Sequence, residues 1–149
     1  MRRFGPVTGV LLMAVGIAAV VPACGSNSPC RTCPPIDGTY TVRWDTDGGP
    51  NPSCPGPKVP TWTFNQHDTQ ITTTIGGIAL GGTLYDSYDL LLTGAQSTLS
   101  YRLKAIAIPE GSSDDAGIRL LGTFTTRTIG DAGDTCESNE PFTAQRTSK

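Results

Sequence analysis

The sequence predicts an all-β domain: an antiparallel up-and-down meander of about eight strands closing into a small β-barrel, with an open β-sandwich as the alternative. Three observations lead there. Segments rich in Thr, aromatic and aliphatic residues alternate with period two. Clusters of Gly, Asp, Ser and Pro separate those segments at short intervals, and no window of comparable length carries a helical stripe. Closing the meander removes the exposed edges that invite aggregation.

Each strand is read from its alternation. In the first, Tyr40, Val42 and Trp44 share one face and Thr39, Thr41 and Arg43 the other. Trp62 and Phe64 repeat the pattern, followed by Ile71, Thr73 and Ile75, with His67-Asp68 as the expected turn between them. Leu84 lies in a short segment from Gly82 to Asp86, and Leu90 and Leu92 stand beside Asp89 and Leu91. A longer strand turns Leu99, Tyr101 and Leu103 inward, opposite Ser100, Arg102 and Lys104. The next offers Ile118, Leu120 and Phe124 opposite Arg119, Leu121 and Thr125, and the last offers Phe142 and Ala144. A polypeptide of 149 residues accommodates one such core.

Ahead of the strands stands a leader. Arg2 and Arg3 supply its charge, Val7 to Val21 its apolar run, and Val21-Pro22-Ala23-Cys24 its exit. The run falls short of the roughly 20 apolar residues a spanning helix needs and is broken by Gly9 and Gly16. The tetrapeptide resembles the lipobox of bacterial lipoproteins, which implies that the Cys24 thiol takes a diacylglycerol and that cleavage makes Cys24 the first mature residue. Ordinary cleavage after Ala23 satisfies the same small-residue rule. The lipoprotein resemblance further implies the cell envelope, and Gly25, where Asp would favour the inner membrane, implies the outer membrane.

The expected organisation is a signal peptide over residues 1–23, a Pro/Gly/Ser tether over 24–35 and a barrel domain over 36–149. Removing Arg2 and Arg3 leaves 9 basic against 13 acidic residues. With no basic cluster to neutralise phosphates, nucleic acid is not an expected partner. The partners expected are the membrane, through Cys24, and a small apolar ligand, a glycan or an envelope protein.

Five cysteines are an odd number for an exported chain, and acylating Cys24 leaves four. In an eight-strand meander the connections alternate ends, so the loops holding Cys54 (strands one to two) and Cys136 (strands seven to eight) lie at one end. Strands one and eight are neighbours in a closed barrel. A Cys54–Cys136 disulfide follows, with Cys30–Cys33 pairing locally. A four-thiolate zinc site is the weaker reading, since Cys54 and Cys136 lack the close spacing of structural zinc ligands.

The phrases Gly38-Thr39-Tyr40, Trp62-Thr63-Phe64-Asn65-Gln66, Gly81-Gly82-Thr83-Leu84, Leu121-Gly122-Thr123-Phe124 and Phe142-Thr143-Ala144-Gln145-Arg146 resemble the rhythm of small avidin-like or lipocalin-like barrels. The likeness runs from about Ile36 to Arg146 and implies a barrel that is either filled by side chains or holds one small ligand. Trp44, Trp62, Phe64, Tyr101, Phe124 and Phe142 would fill or line it. The rim around Cys54, Gly76 to Gly81, Gly94 to Ser97 and Cys136 is expected to face away from the membrane and to be the binding surface, with no ligand-binding residue assigned.

Nothing in the sequence arranges an active site, and no enzyme, cofactor or metal is expected. The one histidine, His67, sits in the expected turn. Asp86, Asp89, Asp114, Asp115, Asp131 and Asp134 also fall in expected turns or loops. Asp45-Thr46-Asp47-Gly48 opens like a calcium loop, but Gly49 and Gly56 occupy ligand positions of that pattern. The expected role is a lipid-anchored binding or interaction module, and the alternative is a structural envelope lipoprotein with a filled barrel.

Overall fold

The computed structural model describes residues 28–33, 35–45, 54, 56–111 and 117–149. The leader, Cys24, Gly25, the 46–49 segment, Asp114 and Asp115 lie outside the described residues. Eight antiparallel strands follow one another: β1 (Gly38–Trp44), β2 (Thr61–His67), β3 (Gln70–Ile75), β4 (Ile78–Leu84), β5 (Asp89–Gln96), β6 (Leu99–Glu110), β7 (Gly117–Ile129) and β8 (Thr135–Ser148). Each pairs with the next, and β1 pairs with β8, so the meander closes into a barrel.

The alternation read from the sequence is the one the barrel uses. Tyr40, Val42, Trp62, Phe64, Ile71, Ile75, Leu90, Leu92, Tyr101, Leu103, Ile118, Leu120, Phe124, Phe142 and Ala144 are buried, while the residues flanking them in each strand face outward or lie partly covered. Rings meet edge to face: Trp62 and Phe142 at 4.7 Å between centroids, Tyr40 and Phe64 at 5.2 Å. Small residues stand beside large ones across the strands. Gly122 pairs with Ala105 on one side and Phe142 on the other, and Phe142 pairs in turn with Trp44, so one interior layer fits two aromatic rings beside a glycine and an alanine.

Strand bounds differ from expectation in the glycine-bearing segments. Gly76 and Gly77, both at positive φ, make the two-residue β3–β4 turn, and Ile78 to Gly81 already belong to β4. Gly94 to Gln96 belong to β5, with Ser97 and Thr98 as the turn. His67 ends β2, and the turn is Asp68-Thr69, where Asp68 takes φ 54°. Asp89 opens β5 instead of lying in a loop.

Strand β8 begins seven residues before Phe142 and places Cys136 inside the strand, not in the β7–β8 loop. Pro141 is tolerated mid-strand because its nitrogen side faces the position where β1 has ended: its carbonyl accepts from the Asp45 amide at 3.0 Å, and no ladder donor is missing there.

The described part of the expected tether is packed, not extended. Ser28 to Cys33 cross the barrel end where β1 begins. Pro29 bridges Tyr85, the Cys30 amide donates to the Leu84 carbonyl at 2.9 Å, and the Asp86 amide donates to the Ser28 carbonyl at 3.0 Å. Cys30 is buried and bonded to Cys33, with Cα atoms 5.7 Å apart. Ile36, wholly buried, plugs the end: its amide donates to Gln66 Oε1 and its carbonyl accepts from the Tyr40 hydroxyl. The short disulfide loop and these backbone bonds give a Pro-rich stretch the partners that composition did not reveal.

Candidate binding site at the disulfide-closed end

The opposite end collects the β1–β2 connection and the β3–β4, β5–β6 and β7–β8 turns. Cys54 and Cys136 are bonded there, with Cα atoms 5.6 Å apart. Cys136 shares inward parity with Ser138, Glu140 and Phe142, so the bridge reaches over the rim and holds Cys54 at the mouth, beside Gly56 and Pro57. Gly56 lies directly over the interior. A Cβ at that position would stand 2.6 Å from Thr126 Oγ1 and 3.7 Å from Glu140 Oε2. Pro57 continues across to Gly76 and Tyr101: a Cβ on Gly76 would come within 2.9 Å of the proline ring and 3.2 Å of the Tyr101 hydroxyl.

Beneath this roof the inner wall turns polar. Thr126 pairs with Ser138 and Phe124 with Glu140 across β7 and β8, and all four side chains are buried, Glu140 at 8% exposure. Trp44 and Trp62 stand just below, their rings 5.6 Å apart and each about 6 Å from Phe124. Both Glu140 carboxylate oxygens, the Thr126 and Ser138 hydroxyls and the two indole nitrogens are fully covered without a hydrogen-bond partner.

Among the described residues the remaining buried polar side chain, Thr73, is satisfied. Thr73 donates its hydroxyl to the Thr63 carbonyl at 2.8 Å. One unsatisfied buried group costs about 1 to 3 kcal/mol, and a charged one more. Six such atoms in one layer are therefore expensive unless something meets them.

The chemistry of the layer is mixed. Two indole N–H groups only donate, an ionised carboxylate only accepts, and two hydroxyls do either. Tyr101 completes the wall next to Thr126, and burial pushes its phenol pKa upward, which keeps it a neutral donor.

The remaining sequence candidates lie elsewhere. His67 is at the far end of the barrel, 94% exposed, beside Asp68 at 3.6 Å. Asp86, Asp131 and Asp134 are exposed in turns, and Asp89 is half-buried at the start of β5, so the described aspartates form no group inside the barrel. The two disulfides are Cys54–Cys136, the pair the meander topology brings together, and the local pair Cys30–Cys33. The sequence reading missed Thr126, Ser138 and Glu140. Counting back by two from Phe142 would have turned Glu140 and Ser138 inward, but Glu137 to Pro141 reads as a loop by composition.

Comparison with known protein families, with curated proteins and with solved structures returns no match.

Proposed function

We propose that the chain is a lipid-anchored binding protein of the bacterial cell envelope, held by an acylated Cys24 and using the Cys54–Cys136 end of its barrel as the binding end. One observation carries the binding reading: the covered, unpartnered layer of Glu140, Thr126, Ser138, Trp44 and Trp62 at that end. Chain geometry supports the orientation. Ser28 is fastened at the opposite end, and four residues reach at most about 14 Å when extended. A lipid on Cys24 would thus hold that opposite end close to the bilayer and leave the disulfide-closed end toward water. The expected tether of 24–35 shortens in this reading to the residues before Ser28.

A structural envelope lipoprotein is the second reading, favoured by the aromatic residues that occupy the interior below the polar layer. A non-reducing native mass spectrum of the protein extracted from its own membrane in mild detergent separates the two. The expected result is a chain beginning at Cys24, with acyl mass, both disulfides and a non-covalent adduct. An acylated chain with no adduct favours the structural reading, and an unmodified Cys24 removes the anchor.

A further inference from the structure

We infer that the polar layer under Gly56 is a site for a small organic cation, a primary ammonium group held by the Glu140 carboxylate. The inference rests on the binding reading and specifies its ligand. Charge decides among the possible ligands. The layer carries one carboxylate, and no described Lys, Arg or His is bonded to it. Leaving a hydroxyl or indole N–H unpaired costs about one hydrogen bond, whereas a buried carboxylate without a counter-charge costs several times more. A ligand that brings positive charge relieves the largest deficit.

An ammonium also matches the other acceptors. Its three N–H donors can be divided between the Glu140 carboxylate and the hydroxyls of Thr126 and Ser138, which is paired with Thr126 across the β7–β8 ladder. Phe124, directly across from Glu140, and the two indole rings around it give the carbon portion an apolar wall and the charge an aromatic face. A Cβ at Gly56 would stand 2.6 Å from Thr126 Oγ1 and 3.7 Å from Glu140 Oε2, so the missing side chain lets Gly56 lie directly against the layer.

The protein reports on this site itself, because its only two tryptophans are Trp44 and Trp62. The disulfide-intact protein, labelled with ¹⁵N, is titrated with n-butylammonium, n-butanol and butyrate at matched ionic strength while both indole N–H resonances are followed. Butylammonium is expected to shift both resonances to saturation, with butanol and butyrate far weaker. In Glu140→Gln the affinity should fall about thirtyfold or more, the scale on which losing one partner of a buried charge pair acts. Glu140→Asp, which keeps the charge, should retain part of it.

Equal binding of butanol, or undiminished binding by a folded Glu140→Gln, overturns the cation and leaves a binding site. Should neither variant fold, the three probes on the wild-type protein decide. If no probe moves the indoles while the native mass spectrum carries an adduct, the ammonium site is wrong and the binding function stands. If the adduct is absent as well, both fall.

Discussion

Tyr40 and Glu140 both turn inward on the two strands that form the barrel's seam, and burial acts on them in opposite circumstances. Tyr40 has its partner: the hydroxyl donates to the Ile36 carbonyl at 2.9 Å. Burial pushes its pKa well above the ordinary phenol value of 10.0, with Arg146 offsetting part of the rise. The folded state therefore keeps this proton where the unfolded chain has lost it. Stability from this group is complete below about pH 10 and falls as pH rises above it, by up to about 1.4 kcal/mol per pH unit. The melting temperature should accordingly decline beyond that point. Tyr40→Phe should lose about 1 kcal/mol at neutral pH with the missing hydrogen bond, yet show a shallower alkaline decline. An unchanged alkaline slope in the variant would place the loss elsewhere. Glu140 has no such partner: both of its carboxyl oxygens are covered without a hydrogen bond.

Among the elements, β7 shows how far a strand depends on one missing side chain. A Cβ at Gly122 would collide with the Lys104 carbonyl and with Ala105 on β6, both parts of the ladder. Gly122→Ala should destabilise by about 1 to 3 kcal/mol, measured as a lower urea midpoint at constant slope. Gly81→Ala in β4, where a Cβ would meet open space, is the control and should be near neutral or slightly stabilising.

The same elements show what a sequence exposes to reading. Strands β1, β2, β6 and β7 announce themselves because each alternates large apolar residues with Thr, Arg or Ser. The first half of β8 does not. Its inward residues are Cys136, Ser138 and Glu140, its outward residues between them are Glu137 and Asn139, and Pro141 carries a loop signature. Polar residues replace apolar ones in this interior layer, so the alternation that identifies a strand fades there. The Ser28–Cys33 strap was hidden for a different reason: backbone hydrogen bonds fasten it, and those leave little mark on composition.

For the whole molecule, closure is the decisive event, and the disulfides differ in how much they secure it. Cys54 and Cys136 are 82 positions apart, and the chain-entropy relation assigns such a bridge about 4 to 5 kcal/mol. The same relation gives under about 2 kcal/mol for Cys30–Cys33, three positions apart. Replacing Cys54 and Cys136 by Ser should therefore lower unfolding free energy far more than replacing Cys30 and Cys33, as read from paired urea titrations. Equal losses would mean that the long bridge adds no constraint beyond the packed seam.

The seam joins Thr39 to Ser148, the two ends of the domain. Synthesis delivers β1 first and β8 last, so the sheet has two open edges until the final strand arrives. Throughout that interval the cysteines already made beside Cys54 are Cys24, Cys30 and Cys33, and an oxidant acting then would trap a bridge that the native topology does not contain. Correct pairing depends on oxidation of Cys54 following the arrival of β8.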